Sequence, residues 1–144
     1  MPDLERDVRF LAQVPLFQTL KKSQLQGLAK SLVSRRYAAG QEIVTQGKGG
    51  AGLFIIVSGK ADAIRMRSDG AQVVVNTFGP TDFFGELALL DDEPRTASVV
   101  ATEETECLVL VQWDFLGMLR LDADMAVLIL QELAKRFRRA LDAL

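Results

Sequence analysis

The chain has 144 residues, 49% of them apolar, enough to bury one real core and too few for two average domains. A net charge of −2 and a pI near 5.2 argue against a general nucleic-acid surface. Histidine is absent and cysteine occurs once, at Cys107, which removes the usual general base, an internal disulfide and any cysteine metal cluster.

In chain order, Leu4, Val8 and Leu11, then Phe17, Leu20, Leu25, Leu28 and Leu32, recur at helical spacing, interrupted at Pro15. Ser23 is the expected N-cap of a helix over Gln24 to Ser31. From Ser34 to Val111 the pattern changes to short β runs: Arg35–Tyr37, Glu42–Thr45, Leu53–Val57, Ala61–Arg67, Gln72–Phe78, Thr96–Ala101 and Glu106–Val111. Turns are expected at Ala39-Gly40, Gly47 to Gly52, Ser58-Gly59 and Asp69-Gly70. This spacing predicts a sandwich or barrel of the jelly-roll kind. Cys107 lies in an apolar run and is expected to be a buried packing residue.

After Trp113–Leu119, a short predicted helix, Asp122 to Leu144 has strong helical composition. Asp122 and Asp124 at its start and Lys135, Arg136, Arg138 and Arg139 toward its end suit the helix dipole. Ala123, Ala126, Leu130, Leu133, Phe137, Ala140 and Leu144 follow a 3,4 spacing that predicts a coiled-coil-like seam, a route to a homodimer through 122–144. No signal peptide and no apolar run of transmembrane length is visible, so a soluble, cytoplasmic chain is expected.

The stretch with chemistry in it is Phe83 to Ala101, FFGELALLDDEPRTASVVA. Gly85 admits close approach of a ligand to the backbone. The first amides of the turn begun by Gly85-Glu86-Leu87-Ala88 lack intrahelical partners and favour an anion. Arg95 supplies an always-charged fork suited to phosphate oxygens. Glu86 would repel a phosphate but would accept from a hydroxyl such as a sugar 2′-OH. An anion end beside a hydroxyl end outlines a sugar phosphate. Leu87 and Leu89 are expected to anchor the turn in the core, and Asp91 to Glu93 to face solvent.

This segment, F-G-E-L-A-L, a short loop, then P-R-T-A-S, resembles the phosphate-binding cassette of the cyclic nucleotide-binding domain family. The run Phe10 to Phe17 and the glycine placement in GQEIVTQGKGGAGLFIIVSGKADAI are also similar to that family. Lys48 and Ala51 depart from it, standing where acidic loop residues are usual. The resemblance implies one α+β, mainly β domain over 1–144. It would have N-terminal helices (1–33), a β-roll (34–111) with the cassette at 83–97, and C-terminal helices (112–144). It further implies that Arg95 pairs with a cyclic phosphate, that Glu86 accepts from the ribose, and that the amides of Gly85 to Ala88 and of Ala97 line the phosphate. Thr96 bears on the base, and cAMP is favoured over cGMP. Met66 and Val75 are the candidate wall for the base. Arg136 is the candidate contact from a terminal helix that closes over the ligand.

Other chemistries fit poorly. The cupins share a jelly roll but build metal centres from histidines, and a nucleotide P-loop needs Gly-Lys-Ser/Thr where this chain has Gly47-Lys48-Gly49-Gly50. No nucleophile–base pair can be assembled, so a non-enzymatic binding module without cofactor or metal is expected. With no further module after Leu144, the same reading expects no direct DNA binding. The alternatives are a ligand-independent dimerisation module and the sensor half of a transcription regulator.

Overall fold

The computed structural model describes residues 3–49, 52–91 and 93–144, so the expectations that fall on Gly50, Ala51 and Asp92 lie outside the described residues. Its contacts divide the chain into two compact units: a helical one, made of the chain up to Ser31 with Trp113–Leu144, and a β one, Leu32–Gln112. Among the described residues, four α-helices and eight antiparallel strands give the expected jelly-roll β-roll with helices before and after it in the chain.

The helical unit contains α1 (Leu4–Ala12), a 3-10 turn (Pro15–Phe17), α2 (Lys22–Lys30), α3 (Gln112–Leu121, entering from the β unit) and α4 (Ala123–Asp142). Asp3 caps α1 by accepting from the Arg6 amide at 3.0 Å. Ser23 is not the cap of α2. The helix begins earlier, with Lys21 at the N-cap, because the Gln24 side chain reaches back to accept from the Lys21 amide at 2.8 Å. Leu11, Val14, Leu16, Phe17, Leu28, Phe115, Met125 and Ile129 are fully or almost fully buried. The Phe17 and Phe115 rings meet at 5.7 Å.

Asp122 caps α4, accepting from the Met125 amide at 3.0 Å. The inward face of α4 is Met125, Ile129 and Glu132. Glu132 is 1% exposed; its Oε1 accepts from Gln18 at 2.8 Å and from Arg139 at 3.4 Å, and its Oε2 has no partner. The predicted seam lies outside that inward face, with Ala123, Leu130, Phe137, Ala140 and Leu144 exposed. Leu133 and Ala126 are partly buried, whereas Val127, Leu130, Ala134, Phe137, Leu141 and Leu144 are exposed and recur at 3,4 spacing. The apolar stripe is real but rotated relative to the predicted one, sharing only Leu130, Phe137 and Leu144.

In the β unit, β1 (Val33–Tyr37), β8 (Thr105–Val111), β3 (Gly52–Ser58) and β6 (Phe83–Phe84) form one sheet in that order. The second sheet runs β2 (Glu42–Val44), β7 (Ser98–Ala101), β4 (Ala61–Met66), β5 (Gln72–Phe78). Phe54, Ile56, Ala61, Ala63, Phe84, Val99, Cys107 and Val109 form the core of the unit. The period-2 pattern therefore places Ala61, Ala63, Val99 and Ala101 inward and Asp62, Ile64, Ser98 and Val100 outward. β5 is an edge strand with no charged residue; Asn76 pairs with Ala63 and Val74 with Ile64, leaving Val75 as an unpaired bulge residue.

Two stability predictions arise here. Thr81 is the one described non-glycine residue with positive φ (74°), held by its amide to the Ile56 carbonyl at 2.8 Å. A β-branched residue in this region costs about 1–2 kcal/mol. Thr81→Gly should remove that strain, less the greater chain entropy of glycine, for a net gain of about 1 kcal/mol and a Tm about 2–4 °C higher. A lower melting temperature in calorimetry would refute it.

Cys107 is fully buried, and burial first, then the neighbouring Glu106 carboxylate, pushes its thiol up to about 11. Burial also raises the Tyr37 phenol, with Cys107 adding to the rise and Arg35 opposing it. The raised thiol favours the protonated form in the folded state. Its contribution is therefore complete below the unfolded value of 9.0 and is lost as pH climbs to about 11. Urea unfolding should show a decline on the order of 2–3 kcal/mol across that window, reduced in Cys107→Ala. An identical alkaline decline in both proteins would exclude the thiol as its source.

Candidate functional site

The cassette is hung on the β-roll by aromatic packing. Phe84 stacks on Phe54 with centroids 5.1 Å apart and the planes 3° off parallel, and Phe78 meets Phe84 at 5.1 Å. The next residue, Gly85, turns left-handed (φ 83°) and starts a 3-10 turn over Glu86–Leu89. Leu89 is fully buried and anchors the turn as expected. Leu87 does not: it is 54% exposed, because a four-residue 3-10 turn can bury only the side facing the roll, and Ala88 and Leu89 occupy it.

A β-carbon on Gly85 would stand 2.5 Å from Arg95 Nη1 and 2.5 Å from the Gly52 carbonyl oxygen. The guanidinium therefore lies directly over the glycine, with Nη2 donating to Gly52 O at 2.9 Å. Arg95 Nε is buried and makes no hydrogen bond. Burial lowers the Arg95 pKa, and Asp91 partly offsets this. A half-buried guanidinium whose inner N–H is unpaired suits an incoming anion, which would satisfy the donor and compensate the partly desolvated charge.

The Arg95 backbone is zippered to the preceding loop, its amide donating to Lys48 O at 2.9 Å while its carbonyl accepts from Gly47 at 2.8 Å. This pairing explains why β7 starts at Ser98 and not at Thr96 as predicted. The Gln46 side chain brackets Met66, donating to its carbonyl at 3.3 Å and accepting from its amide at 2.8 Å, and the Gln46 amide donates to Ser98 Oγ at 2.8 Å. Across the loop, Gln112 Nε2 donates to Asp91 O at 3.1 Å.

The result is a cavity of about 460 Å³ lined by Phe83, Gly85, Glu86, Leu87, Ala88, Asp91, Glu93, Pro94, Arg95 and Thr96. Six predicted residues thus come together: Gly85, Glu86, Leu87, Ala88, Arg95 and Thr96. Ala97 packs against the core cluster beside them. Met66 is elsewhere, on the outward face with Ile64 and Ser98, in a separate groove of about 560 Å³. Val75 is the bulge residue of β5, 48% exposed, and does not line the cavity. Arg136 is carried by α4 in the helical unit. The sequence reading missed Gly52, whose carbonyl holds Arg95, and Gln46. A glycine after a loop and a glutamine before one gave no local signal of either task.

The family model for the cyclic nucleotide-binding domain matches residues 34–122. The chain belongs to the cyclic nucleotide-binding domain family. A family relative, the cAMP-dependent protein kinase regulatory subunit of Mycosarcoma maydis, is 40% identical over 98 residues, 68% of this chain and 18% of that protein. The cyclic AMP receptor protein of Thermus thermophilus is 38% identical over 127 residues, 88% of this chain and 58% of that protein. The chain thus spans less than two thirds of either relative. Among solved structures, the N-terminal domain of a transcriptional regulator from Streptomyces coelicolor superposes with a TM-score of 0.86 at 31% identity, covering 94% of this chain and 96% of that one. No metal-binding group of three or more candidate ligands, and no helix long and apolar enough to cross a membrane, occurs among the described residues.

Proposed function

We propose that this chain is a cyclic nucleotide sensor, binding cAMP in preference to cGMP and catalysing nothing. The observation that carries it is the Arg95 guanidinium, half-buried over Gly85 with its buried Nε lacking a hydrogen bond, in one cavity with Glu86. In this reading Arg95 meets the cyclic phosphate, Glu86 accepts from the ribose 2′-OH, and the amides of Gly85, Glu86, Leu87 and Ala97 surround the phosphate oxygens; the expected Ala88 amide is instead bonded to the Gly85 carbonyl at 3.0 Å. Thr96 lies toward the base. The names of the kinase regulatory subunit and the cyclic AMP receptor protein support cAMP as the ligand. Closure of α4, with Arg136 over the base, would supply the switch, driven by the closed state's higher affinity for ligand.

Calorimetric titration with cAMP and cGMP tests the assignment. One saturable site, tighter for cAMP, is expected. A folded, ligand-free preparation giving neither heat nor a thermal shift with either nucleotide would overturn it.

The exposed stripe Val127, Leu130, Ala134, Phe137, Leu141 and Leu144 supports a second part of the reading, a homodimer through α4. Leu130→Glu combined with Phe137→Glu should convert a dimer to a monomer in sedimentation equilibrium. A wild-type protein that stays monomeric at high concentration would remove this part and leave the sensor intact.

A further inference from the structure

The cassette cavity is electrostatically odd for a site that takes an anion. Its lining carries three carboxylates, Glu86, Asp91 and Glu93, against the single guanidinium of Arg95. A nucleotide phosphate approaching it would pass the exposed Asp91 and Glu93, and the Arg95 guanidinium is already partly engaged with Gly52 O.

A second cation, Arg65, is hydrogen-bonded to one of the lining residues. β4 pairs with β7 in the register Ala63 to Val99 and Ile64 to Ser98, and Arg65 follows directly after the last residue of β4 in that pairing. Its Nε donates to the Thr96 carbonyl at 3.3 Å. That bond holds the guanidinium against the Arg95–Thr96 segment, and Thr96 itself lines the cavity. Neither terminal nitrogen of Arg65 has a hydrogen-bond or ion-pair partner among the described residues. A surface arginine with nothing to hold its stem would sample many rotamers. This one is tethered at Nε, so less conformational entropy is lost when its terminal donors engage an anion.

We infer that Arg65 is a second anion contact of this site, steering the ligand's negative charge past the acidic rim and adding to its affinity. This rests on the nucleotide-binding reading above. Its chemistry is that of a charge-assisted donor at a part-exposed position, so its contribution is smaller than that of Arg95 and more sensitive to salt.

The test is titration of wild type, Arg65→Gln and Arg65→Lys with cAMP and cGMP at low and high salt, with thermal unfolding of each protein. Arg65→Gln should weaken binding about tenfold at low salt and flatten the salt dependence, with an unchanged melting temperature. Arg65→Lys should recover part of the loss, since it restores charge without the fork. Arg65→Gln binding within about twofold of wild type would overturn the inference alone, leaving the sensor reading in place. So would a loss of affinity accompanied by a lowered melting temperature and an unchanged salt dependence. Wild-type protein that binds neither nucleotide would remove both readings.

Discussion

Arg95→Ala should lose measurable cyclic nucleotide binding while the β-roll keeps its stability. Removing the arginine leaves a desolvated phosphate opposite nothing, at a cost of ~2–5 kcal/mol. That corresponds to roughly 30- to several-thousand-fold in Kd, enough to abolish a micromolar site. The unliganded protein should tolerate the change, for a reason visible in the structure. Arg95 gains one hydrogen bond, to Gly52 O, and against it stand a buried, unpaired Nε and a guanidinium whose charge burial disfavours. A net hydrogen-bond contribution of about 0.5–1.5 kcal/mol is offset by relief of that desolvation. Calorimetry and thermal melts on the same preparation separate the two effects. Wild-type affinity in the variant would eliminate Arg95 as the phosphate contact, and a collapsed melting temperature would mean that its role is structural.

Gly85→Ala should do what Arg95→Ala does not, and damage fold and site together. The backbone at φ 83° lies where a β-carbon costs about 1–2 kcal/mol on its own. That β-carbon would also meet Arg95 Nη1 and the Gly52 carbonyl at 2.5 Å each. The guanidinium can retreat, but Gly52 begins β3, a central strand, and its carbonyl cannot move without disturbing the ladder to β8. Together these predict a loss of about 2–4 kcal/mol of stability, with nucleotide affinity falling because the guanidinium has been displaced. Equal melting temperatures for Gly85→Ala and wild type would show that the turn relaxes more freely than this packing allows.

Much of this was readable from the chain alone, and the reasons differ by element. β5 was predicted to the residue because a run of β-branched side chains is bounded by Gly70 on one side and Gly79 on the other. The cassette could be picked out because F-G-E-L-A-L followed by P-R-T-A-S resembles the family's phosphate-binding segment, and Gly85, Glu86, Arg95 and Thr96 do line one cavity. Three expectations were reshaped where tertiary packing decided. The start of α2 depended on a side chain reaching back from Gln24, which outweighed a serine placed two residues too late. The α4 stripe could be drawn on two overlapping faces, and the burial of Met125, Ile129 and Glu132 leaves both of them off the inward side. Met66 was apolar and near the end of a strand, but the alternation of β4 turns it outward, and a sequence cannot say which phase faces in when both carry apolar residues. Gly52 acts through its carbonyl and Gln46 through a side-chain amide on the Met66 backbone, each with a partner far away in sequence, and such pairings leave no composition behind.

The extra residue in β5 bears on how this protein behaves in concentrated solution. QVVVNTF is an uncharged, β-branched strand without proline, at the border of its sheet, with Val74 and Val75 56% and 48% exposed. A straight strand of that composition is a template for sheet growth, one molecule adding to the next through open amides and carbonyls. Val75 interrupts the template. By putting two residues where the neighbour has one, it bends the border and breaks the even spacing of donors and acceptors that an incoming strand would need. The guard against strand addition at this border is backbone shape, and a flattened β5 would lose it with every charge on the surface unchanged.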